Sequence, residues 1–200
     1  MRFLKSILVL VVVALFAAAT CSVSSQSNPA GKQGGWPLIV GGGFSIFNMD
    51  FPQTPSAASY MEGGTVWADW TRIPFVPPKL GIEGEFRQIS INPPSNLSNL
   101  RGKTFLVGPT CTWALPGLSV YVKGMGGYGS MDIPLAPYTH DSRTVWAAGA
   151  GVQYIVRNHI ALRGDYEYQW WPNFLGQKTV DPNGFTLSLA YDFRAPHRCY

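Results

Sequence analysis

The chain has 200 residues and a net charge of +4, enough length for one domain or two small ones. Only 13% of its residues are charged and 14% are aromatic, while glycine and proline number 22 and 16. This composition excludes a coiled coil, a helical bundle and a charge-rich disordered chain. The basic residues are scattered, so we expect no nucleic-acid partner. The 3 cysteines lack the spacing of a metal site or a disulfide scaffold, and we expect no metal and no cofactor.

Residues 1–25 are predicted to be a secretory signal peptide. Arg2 and Lys5 precede an apolar run over residues 7–19, and small polar residues follow it. The run is shorter than the roughly 20 residues that a membrane-spanning helix needs. The pattern predicts cleavage after Ala19 or near Ser25. The alternative is that this segment is a lipoprotein leader with Cys21 as the lipidated residue.

Beyond a flexible lead-in predicted over residues 26–35, apolar and polar residues alternate along the chain with a period of two. This pattern is typical of strands that bury one face. It predicts eight strands, over residues 38–51, 65–72, 80–90, 104–113, 118–126, 145–156, 160–171 and 185–194. Pro109 interrupts the fourth strand and predicts a bulge or an edge position there.

The connections between these strands are alternately long and short. The long ones cover residues 52–63, 91–103, 129–143 and 172–183, and the short ones cover residues 74–79, 114–117 and 157–159. An even number of strands of about ten residues, with short turns at one end and long loops at the other, is typical of outer-membrane barrels. The sequence therefore predicts an all-β fold, an eight-stranded antiparallel up-and-down transmembrane β-barrel.

The charged residues of the strands fall almost entirely on one of the two strand faces. They are Asp69, Glu83, Glu85, Arg87, Lys123, Arg163, Asp165, Glu167, Asp192 and Arg194. Acids and bases nearly balance, as a closed lumen requires, because an unpaired buried charge is strongly destabilising. We therefore expect a salt-bridged polar network that fills the lumen. The alternative is a secreted soluble barrel that shows these charges to water and binds a small apolar ligand.

Tyrosine and tryptophan residues mark the ends of the opposite, apolar face. We expect six of them to form the aromatic girdles that a membrane barrel carries at its two interfaces. They are Trp70, Trp146, Tyr154, Tyr168, Trp170 and Tyr191. In this arrangement hydrocarbon meets the apolar face and the charges point inward.

The last predicted strand carries an alternating apolar pattern, formed by Phe185, Leu187, Leu189, Tyr191 and Phe193. This pattern is similar to the C-terminal β-signal that the outer-membrane assembly machinery reads. With the strand layout and the charged set, it makes residues 36–194 resemble the small eight-stranded outer-membrane barrels related to the OmpA barrel domain and to OmpX. That family usually ends on the terminal aromatic residue, whereas a short tail over residues 195–200 follows here.

The resemblance implies a bacterial outer-membrane protein that is a monomer. Its implied partners are outer-membrane lipid and, during insertion, the assembly machinery, while the surface ligand is unknown. Eight strands enclose a lumen that side chains just fill, so general porin activity is not expected. We expect a non-enzymatic role in envelope integrity or surface contact, carried by the four long loops. The third loop offers Met131, Ile133, Leu135 and Tyr138 as apolar surface for a partner.

For two groups of residues, a catalytic role is the alternative interpretation. Glu83, Glu85 and Glu167 could act as paired catalytic carboxylates, but the arginines on the same face favour a structural network. His140, Asp141 and Ser142 are the residue types of a hydrolytic triad. As immediate neighbours they are not expected to form its relayed hydrogen bonds, so we predict no catalytic residues. An enzyme that modifies outer-leaflet lipid through His140 and Ser142 is the alternative.

Overall fold

The computed structural model describes residues 37–49, 59–73, 78–90, 100–135, 138–157, 159–174 and 178–193. The predicted signal peptide, the lead-in, the tail and Arg194 lie outside the described residues. Within the described part, no helix is long and apolar enough to cross a membrane.

The described residues form strands that pair side by side in chain order. The strands are β1 (Leu38–Met49), β2 (Ser59–Ile73), β3 (Lys79–Ser90), β4 (Arg101–Leu115), β5 (Leu118–Leu135), β6 (Tyr138–Arg157), β7 (Ile160–Phe174), β8 (Lys178–Val180) and β9 (Asn183–Asp192). Every pairing is antiparallel, and β9 pairs with both β7 and β1, which closes the sheet. The predicted eight-stranded antiparallel barrel is therefore confirmed, with β8 as a short extra strand paired only with the end of β7.

The barrel separates polar and apolar side chains by their direction, because successive residues of a strand point to opposite faces. On β3, Glu83, Glu85 and Arg87 point into the barrel and are at most 3% exposed. Ile82 and Phe86, which alternate with them, point outward and are 61% and 42% exposed. On this strand the charged residues thus face the interior, and the apolar residues belong to the outer wall.

We call the end of the barrel with the connections at Gly117 and His159 the turn end, and the opposite end the loop end. Apolar side chains fill the interior from mid-barrel to the loop end. This apolar plug consists of Phe47, Met49, Met61, Ile89, Leu100, Leu106, Met125, Met131, Val145, Ala147, Trp171, Phe174 and Val180. A second, smaller cluster lies toward the turn end and consists of Ile39, Trp67, Ala161 and Ala190. Most of the charged interior residues lie between these two clusters, whereas Asp69 and Asp192 lie nearer the turn end.

Two glycines meet geometric requirements of this architecture. A Cβ on Gly41 would lie 2.4 Å from the indole ring of Trp67, so only glycine leaves room for that ring inside the barrel. Gly117, in the turn between β4 and β5, has a φ of 74°, which glycine adopts without strain. Its carbonyl oxygen accepts a hydrogen bond of 3.1 Å from the backbone N–H of Ile155.

The third predicted loop, residues 129–143, is mostly strand, and the prediction of a long loop there is wrong. β5 continues to Leu135 and β6 begins at Tyr138, so the two strands form one long hairpin, the β5–β6 hairpin. Pro134 is a residue type that favours a loop, because it has no N–H to donate to a neighbouring strand. It is accommodated at an irregularity, since the register shifts between Asp132 and Leu135. Met131 was expected on the loop surface but lies in the apolar plug, 1% exposed.

Pro109 does not interrupt β4 as strongly as predicted. The residue pairs with Ile82 of β3 without a shift in register. On the other side, the pairs with β5 stop at Val107 and resume at Thr110. Proline has no N–H to donate to a neighbouring strand, which accounts for the gap on that side.

Candidate functional site: the charged interior and the β5–β6 hairpin

Lys123 stands at the centre of the charged interior. Its Nζ atom lies 2.6 Å from Glu85 Oε2, 2.9 Å from Glu167 Oε2, 3.3 Å from Glu83 Oε1 and 3.4 Å from Asp165 Oδ1. The ammonium group therefore contacts one carboxylate oxygen from each of four acidic residues, two on β3 and two on β7. Since all five side chains are buried, this contact set replaces the water that the charges lose on folding.

Arg87 extends the network toward the loop end. Its Nη1 atom donates to Glu167 Oε1 over 2.8 Å, and its Nη2 atom donates to Glu85. The Nε atom donates to the Thr65 hydroxyl oxygen over 3.2 Å. The guanidinium also lies 4.0 Å from the centre of the Phe47 ring, so its flat face contacts the apolar plug while its edges bind acids.

Arg163 extends the network toward the turn end. Its Nη1 and Nη2 atoms lie 2.7 Å and 2.9 Å from the two oxygens of Glu83, a bidentate contact. Its Nε atom donates to the Tyr121 hydroxyl over 2.5 Å. The guanidinium lies 3.8 Å from the centre of a Trp67 ring and 4.1 Å from that of Tyr121. Arg163 thus has partners both in its plane and above its faces.

Three buried acids have the spacing of a metal site. Oxygens of Glu85, Asp165 and Glu167 all lie within 4.8 Å of one another. Lys123 contacts all three of these residues, so its ammonium already supplies a cation to the group. The arrangement is that of an internal salt bridge, and chemistry at this position would first have to displace Lys123.

Seven of the ten predicted interior residues meet in this network. They are Glu83, Glu85, Arg87, Lys123, Arg163, Asp165 and Glu167. Asp69 is buried nearer the turn end, where it accepts hydrogen bonds of 2.8 Å from Thr71 and 3.1 Å from Thr110. Asp192 lines a cavity of about 470 Å³ at the turn end, together with Asp69. Arg194 lies outside the described residues.

The outer wall holds the predicted girdle and signal residues. Trp146 and Trp170 are cross-strand partners near the loop end, and Tyr168 lies beside them. The other three girdle residues, Trp70, Tyr154 and Tyr191, lie near the turn end. The predicted β-signal residues Phe185, Leu187, Leu189, Tyr191 and Phe193 all point outward. A large apolar outer wall does not fit the soluble-barrel alternative, which would show it to water.

The β5–β6 hairpin brings together a second set of polar residues. His140 Nδ1 lies 2.7 Å from Asp132 Oδ1, and Ser142 Oγ lies 2.8 Å from His140 Nε2. The three neighbours His140, Asp141 and Ser142 thus form no relay among themselves, as expected, but His140 and Ser142 form one with Asp132, which the sequence did not indicate. Residues two apart on a strand share a face, and the opposite strand supplies Asp132 as the acid. Asp141 points elsewhere and pairs with Arg143 Nε over 3.1 Å.

Several interior residues have roles that the sequence did not indicate. Trp67 and Tyr121 share a strand face with the charges, but no sequence pattern indicates that they stack on Arg163. Gln169 donates to Glu167 over 2.7 Å and accepts from Trp171 Nε1 over 2.9 Å, which links the network to the apolar plug. The four methionines of that plug come from three different strands, so only the register reveals them as one cluster.

Comparison with known proteins identifies the family. Residues 10–193 match the family described as the outer membrane protein β-barrel domain. The chain belongs to this family. It is an outer-membrane β-barrel protein, similar to the OmpA and OmpX barrels, as the sequence predicted. Comparison with curated proteins gives no sequence match.

Two solved structures show the likeness in fold. Ail, the attachment invasion locus protein of Yersinia pestis, is 18% identical with a TM-score of 0.56, and the match covers 77% of this chain and 96% of Ail. Neisserial surface protein A is 12% identical with a TM-score of 0.61, covering 80% of this chain and all of that protein (100%). Both chains match over almost their whole length, so the shared unit is the complete barrel.

The central position of Lys123 makes its replacement costly. We expect Lys123→Met to lower the free energy of unfolding by about 3–5 kcal/mol, because four buried carboxylates lose their shared cation. Denaturant unfolding in lipid vesicles, followed by tryptophan fluorescence, measures this change. The control is Arg157→Met at an exposed position, which should change stability by no more than about 0.5 kcal/mol. Equal stability of the two variants would contradict the role assigned to Lys123.

Proposed function

We propose that this protein is a closed, non-conducting outer-membrane barrel that acts at its surface, in envelope integrity or surface contact. The observation that carries the proposal is the filled interior, in which an ion-paired layer and an apolar plug follow one another along the barrel axis. Solutes would have to displace both layers to pass. The function is therefore assigned to the outside of the barrel and to the loop end.

The interior side chains leave little room for a solute path. An eight-stranded barrel encloses a space that side chains can just fill. Arg87, Arg163 and Glu83 are among the largest fully buried side chains, each at most 2% exposed. Beyond them, Met61 and Trp171 close the interior toward the loop end with no more than 2% exposure. Opening such a path would unpair several buried charges, and each unpaired charge is strongly destabilising.

The proposal keeps catalysis out of the interior. Each interior carboxylate of the network lies within 3.5 Å of Arg87, Lys123 or Arg163. A catalytic carboxylate must reach its substrate, whereas these are enclosed by their own cations. We therefore assign the network a structural role and describe the barrel interior as non-enzymatic.

The β5–β6 hairpin supports a contact role at the loop end. β6 begins at Tyr138, but its pairing with β7 begins only at Trp146. The intervening stretch is paired with β5 alone and spans about 25 Å of strand at roughly 3.3 Å per residue. In outer-membrane barrels the longer connections lie on the extracellular side. The hairpin thus offers a preformed ribbon for a partner outside the cell.

The surroundings of the barrel complete the proposal. The apolar outer wall fits outer-membrane lipid, and the outward pattern that ends at Phe193 fits recognition by the assembly machinery during insertion. β1 pairs with β9, so the sheet closes within one chain, which supports a monomer. The family implies an outer-membrane location, and cleavage of a signal peptide before residue 26 remains a prediction.

Conductance tests the closed interior. We expect the purified barrel, reconstituted into planar bilayers, to give no porin-sized current steps, because the ionic layer and the apolar plug fill the interior. A general porin reconstituted from the same detergent serves as the positive control. Reproducible open steps of porin size from this protein would contradict the proposal.

A shortened hairpin tests the surface role. Asp132 and His140 are cross-strand partners, so residues 133–139 can be replaced by Asn-Gly, the sequence of a two-residue hairpin turn. The variant should keep the heat-dependent gel shift of a folded barrel. In cells that lack the native protein, we expect it to restore well under half of the surface attachment or detergent resistance that the full chain restores. Full restoration would show that the hairpin tip has no part in the function.

A further inference from the structure

Three residues of the β5–β6 hairpin have the hydrogen-bond order of a hydrolytic triad. In the tautomer that fits these contacts, His140 Nδ1–H donates to Asp132 Oδ1 over 2.7 Å. The Ser142 hydroxyl then donates to His140 Nε2 over 2.8 Å. The serine is thus placed to lose its proton to the imidazole, and the carboxylate to hold the imidazole in position. The backbone fixes this order, because Asp132 and His140 are directly paired across the hairpin.

The triad is accessible from outside the barrel. The His140 and Asp132 side chains are 55% and 53% exposed, although each has a hydrogen-bonded partner. Asp132 lies four residues from Tyr128 on β5, and His140 lies six residues from Trp146 on β6. Residues separated by an even number share a strand face, and Tyr128 and Trp146 point outward. The triad therefore continues the outer, lipid-facing side of the barrel beyond its aromatic residues.

The position of the triad along the strands places it at the level of lipid headgroups. On β6, Ser142 lies four residues closer to the hairpin tip than Trp146. On β5, Asp132 lies four residues closer to the tip than Tyr128. With about 3.3 Å per residue and a strand tilt of roughly 40°, this separation is about 10 Å along the membrane normal. Aromatic side chains mark the interface, so the triad lies just outside the hydrocarbon.

Two cations lie on the same outer face beside the triad. Arg101 and Lys103 of β4 are exposed and alternate with buried Gly102 and Thr104. Arg101 is the cross-strand partner of Asp132, and Lys103 is that of Ser130. Basic side chains at this level attract anionic lipid headgroups.

We propose that Ser142 and His140 form a serine-hydrolase site that cleaves carboxylic esters of anionic lipids in the outer leaflet. Asp132 is its positioning residue, and Arg101 and Lys103 bind the anionic headgroup. This activity goes beyond the proposed function, because it lies on the outer face of the hairpin and uses none of the interior network. Its three residues also lie outside the segment 133–139 that the shortened hairpin replaces.

The reaction proceeds in two balanced steps. Ser142 Oγ attacks the ester carbonyl carbon and gives its proton to His140 Nε2. The tetrahedral intermediate then collapses and the carbon–oxygen bond of the ester breaks. The leaving alkoxide takes the proton from His140 and departs as the alcohol part of the lipid. In the second step a water molecule gives a proton to His140, attacks the acyl-serine and releases the fatty acid, while Ser142 recovers its proton.

Covalent labelling and lipid hydrolysis test the proposal together. The full-length folded protein is treated with a fluorophosphonate probe, and the labelled residue is located by mass spectrometry. Fatty-acid release is measured from phosphatidylglycerol vesicles and from phosphatidylcholine vesicles. We expect the label on Ser142, and release that is about tenfold faster from the anionic vesicles.

Variants on one face of the hairpin separate catalysis from structure. Ser142→Ala and His140→Gln should each lower release by about 10³-fold or to background. The matched control is Ser130→Ala, since Ser130 is the cross-strand partner of Ser142 and lies on the same face. That variant should keep both the label and the release. All variants should keep the heat-dependent gel shift, because these side chains lie outside the barrel interior.

The positioning role of Asp132 is tested by measuring kcat and KM separately, because a purely structural role would not lower kcat alone. We expect Asp132→Asn to lower kcat by about 10³-fold with KM unchanged, because the imidazole loses the partner that sets its tautomer. Asp132→Glu should recover part of kcat. In contrast, the double variant Arg101→Gln/Lys103→Gln should raise KM for anionic vesicles and leave kcat unchanged.

Four results would overturn the proposal. Absence of both label and release would exclude an activated serine. A label on Ser142 without release from either vesicle would exclude lipid esters as substrates. Release from Ser142→Ala equal to that of the parent protein would place the activity elsewhere. Equal release from the two vesicle types would remove the assignment of Arg101 and Lys103. None of these results bears on conductance, so the closed-barrel proposal is tested separately.

Discussion

Charges inside a closed barrel have no water to solvate them, so each must find its partners among the other interior side chains. In this protein Lys123 meets that requirement for four acids at once, with Nζ–O distances from 2.6 to 3.4 Å. Arg87 and Arg163 form ion pairs with the remaining oxygens of Glu167 and Glu83. Because these residues come from β3, β5 and β7, the network ties together strands that are not neighbours in the sheet.

The network also divides the barrel into regions with different tasks. Above it, Gln169 connects Glu167 to Trp171, so the ionic layer continues into the apolar plug at the loop end. Below it lies the cavity of about 470 Å³ at the turn end. The ionic layer and the apolar plug connect the strands below the loop end, and the β5–β6 hairpin extends from this scaffold beyond its pairing with β7. Recognition and chemistry are therefore expected outside the barrel, where the scaffold positions them.

The sequence predicted eight of the nine strands and, for most of them, the direction of the side chains, because a period of two is visible within those strands. The facing of the glycine-rich first strand was ambiguous, and β8 was not predicted. The sequence could not predict which charges meet. Arg163 and Glu83 are 80 residues apart, and only the register of intervening strands brings them together. The hairpin shows the same limit. His140 and Ser142 share a face by local periodicity, but Asp132 reaches them only through the pairing of β5 with β6, in a stretch that the sequence predicted to be a loop. The stacking of Trp67 on Arg163 likewise could not be predicted from the sequence, because it joins residues of strands that are far apart in the chain.

The most direct test of this account is a double-mutant cycle on the pair Lys123 and Glu167, whose Nζ and Oε2 atoms are 2.9 Å apart. Stability in lipid vesicles is measured for Lys123→Met, Glu167→Gln and the double variant. If the ionic layer holds the barrel together, the double variant loses less stability than the sum of the single losses, by at least about 1 kcal/mol. Additive losses, within about 0.5 kcal/mol, would show that the two residues do not interact and would contradict the account.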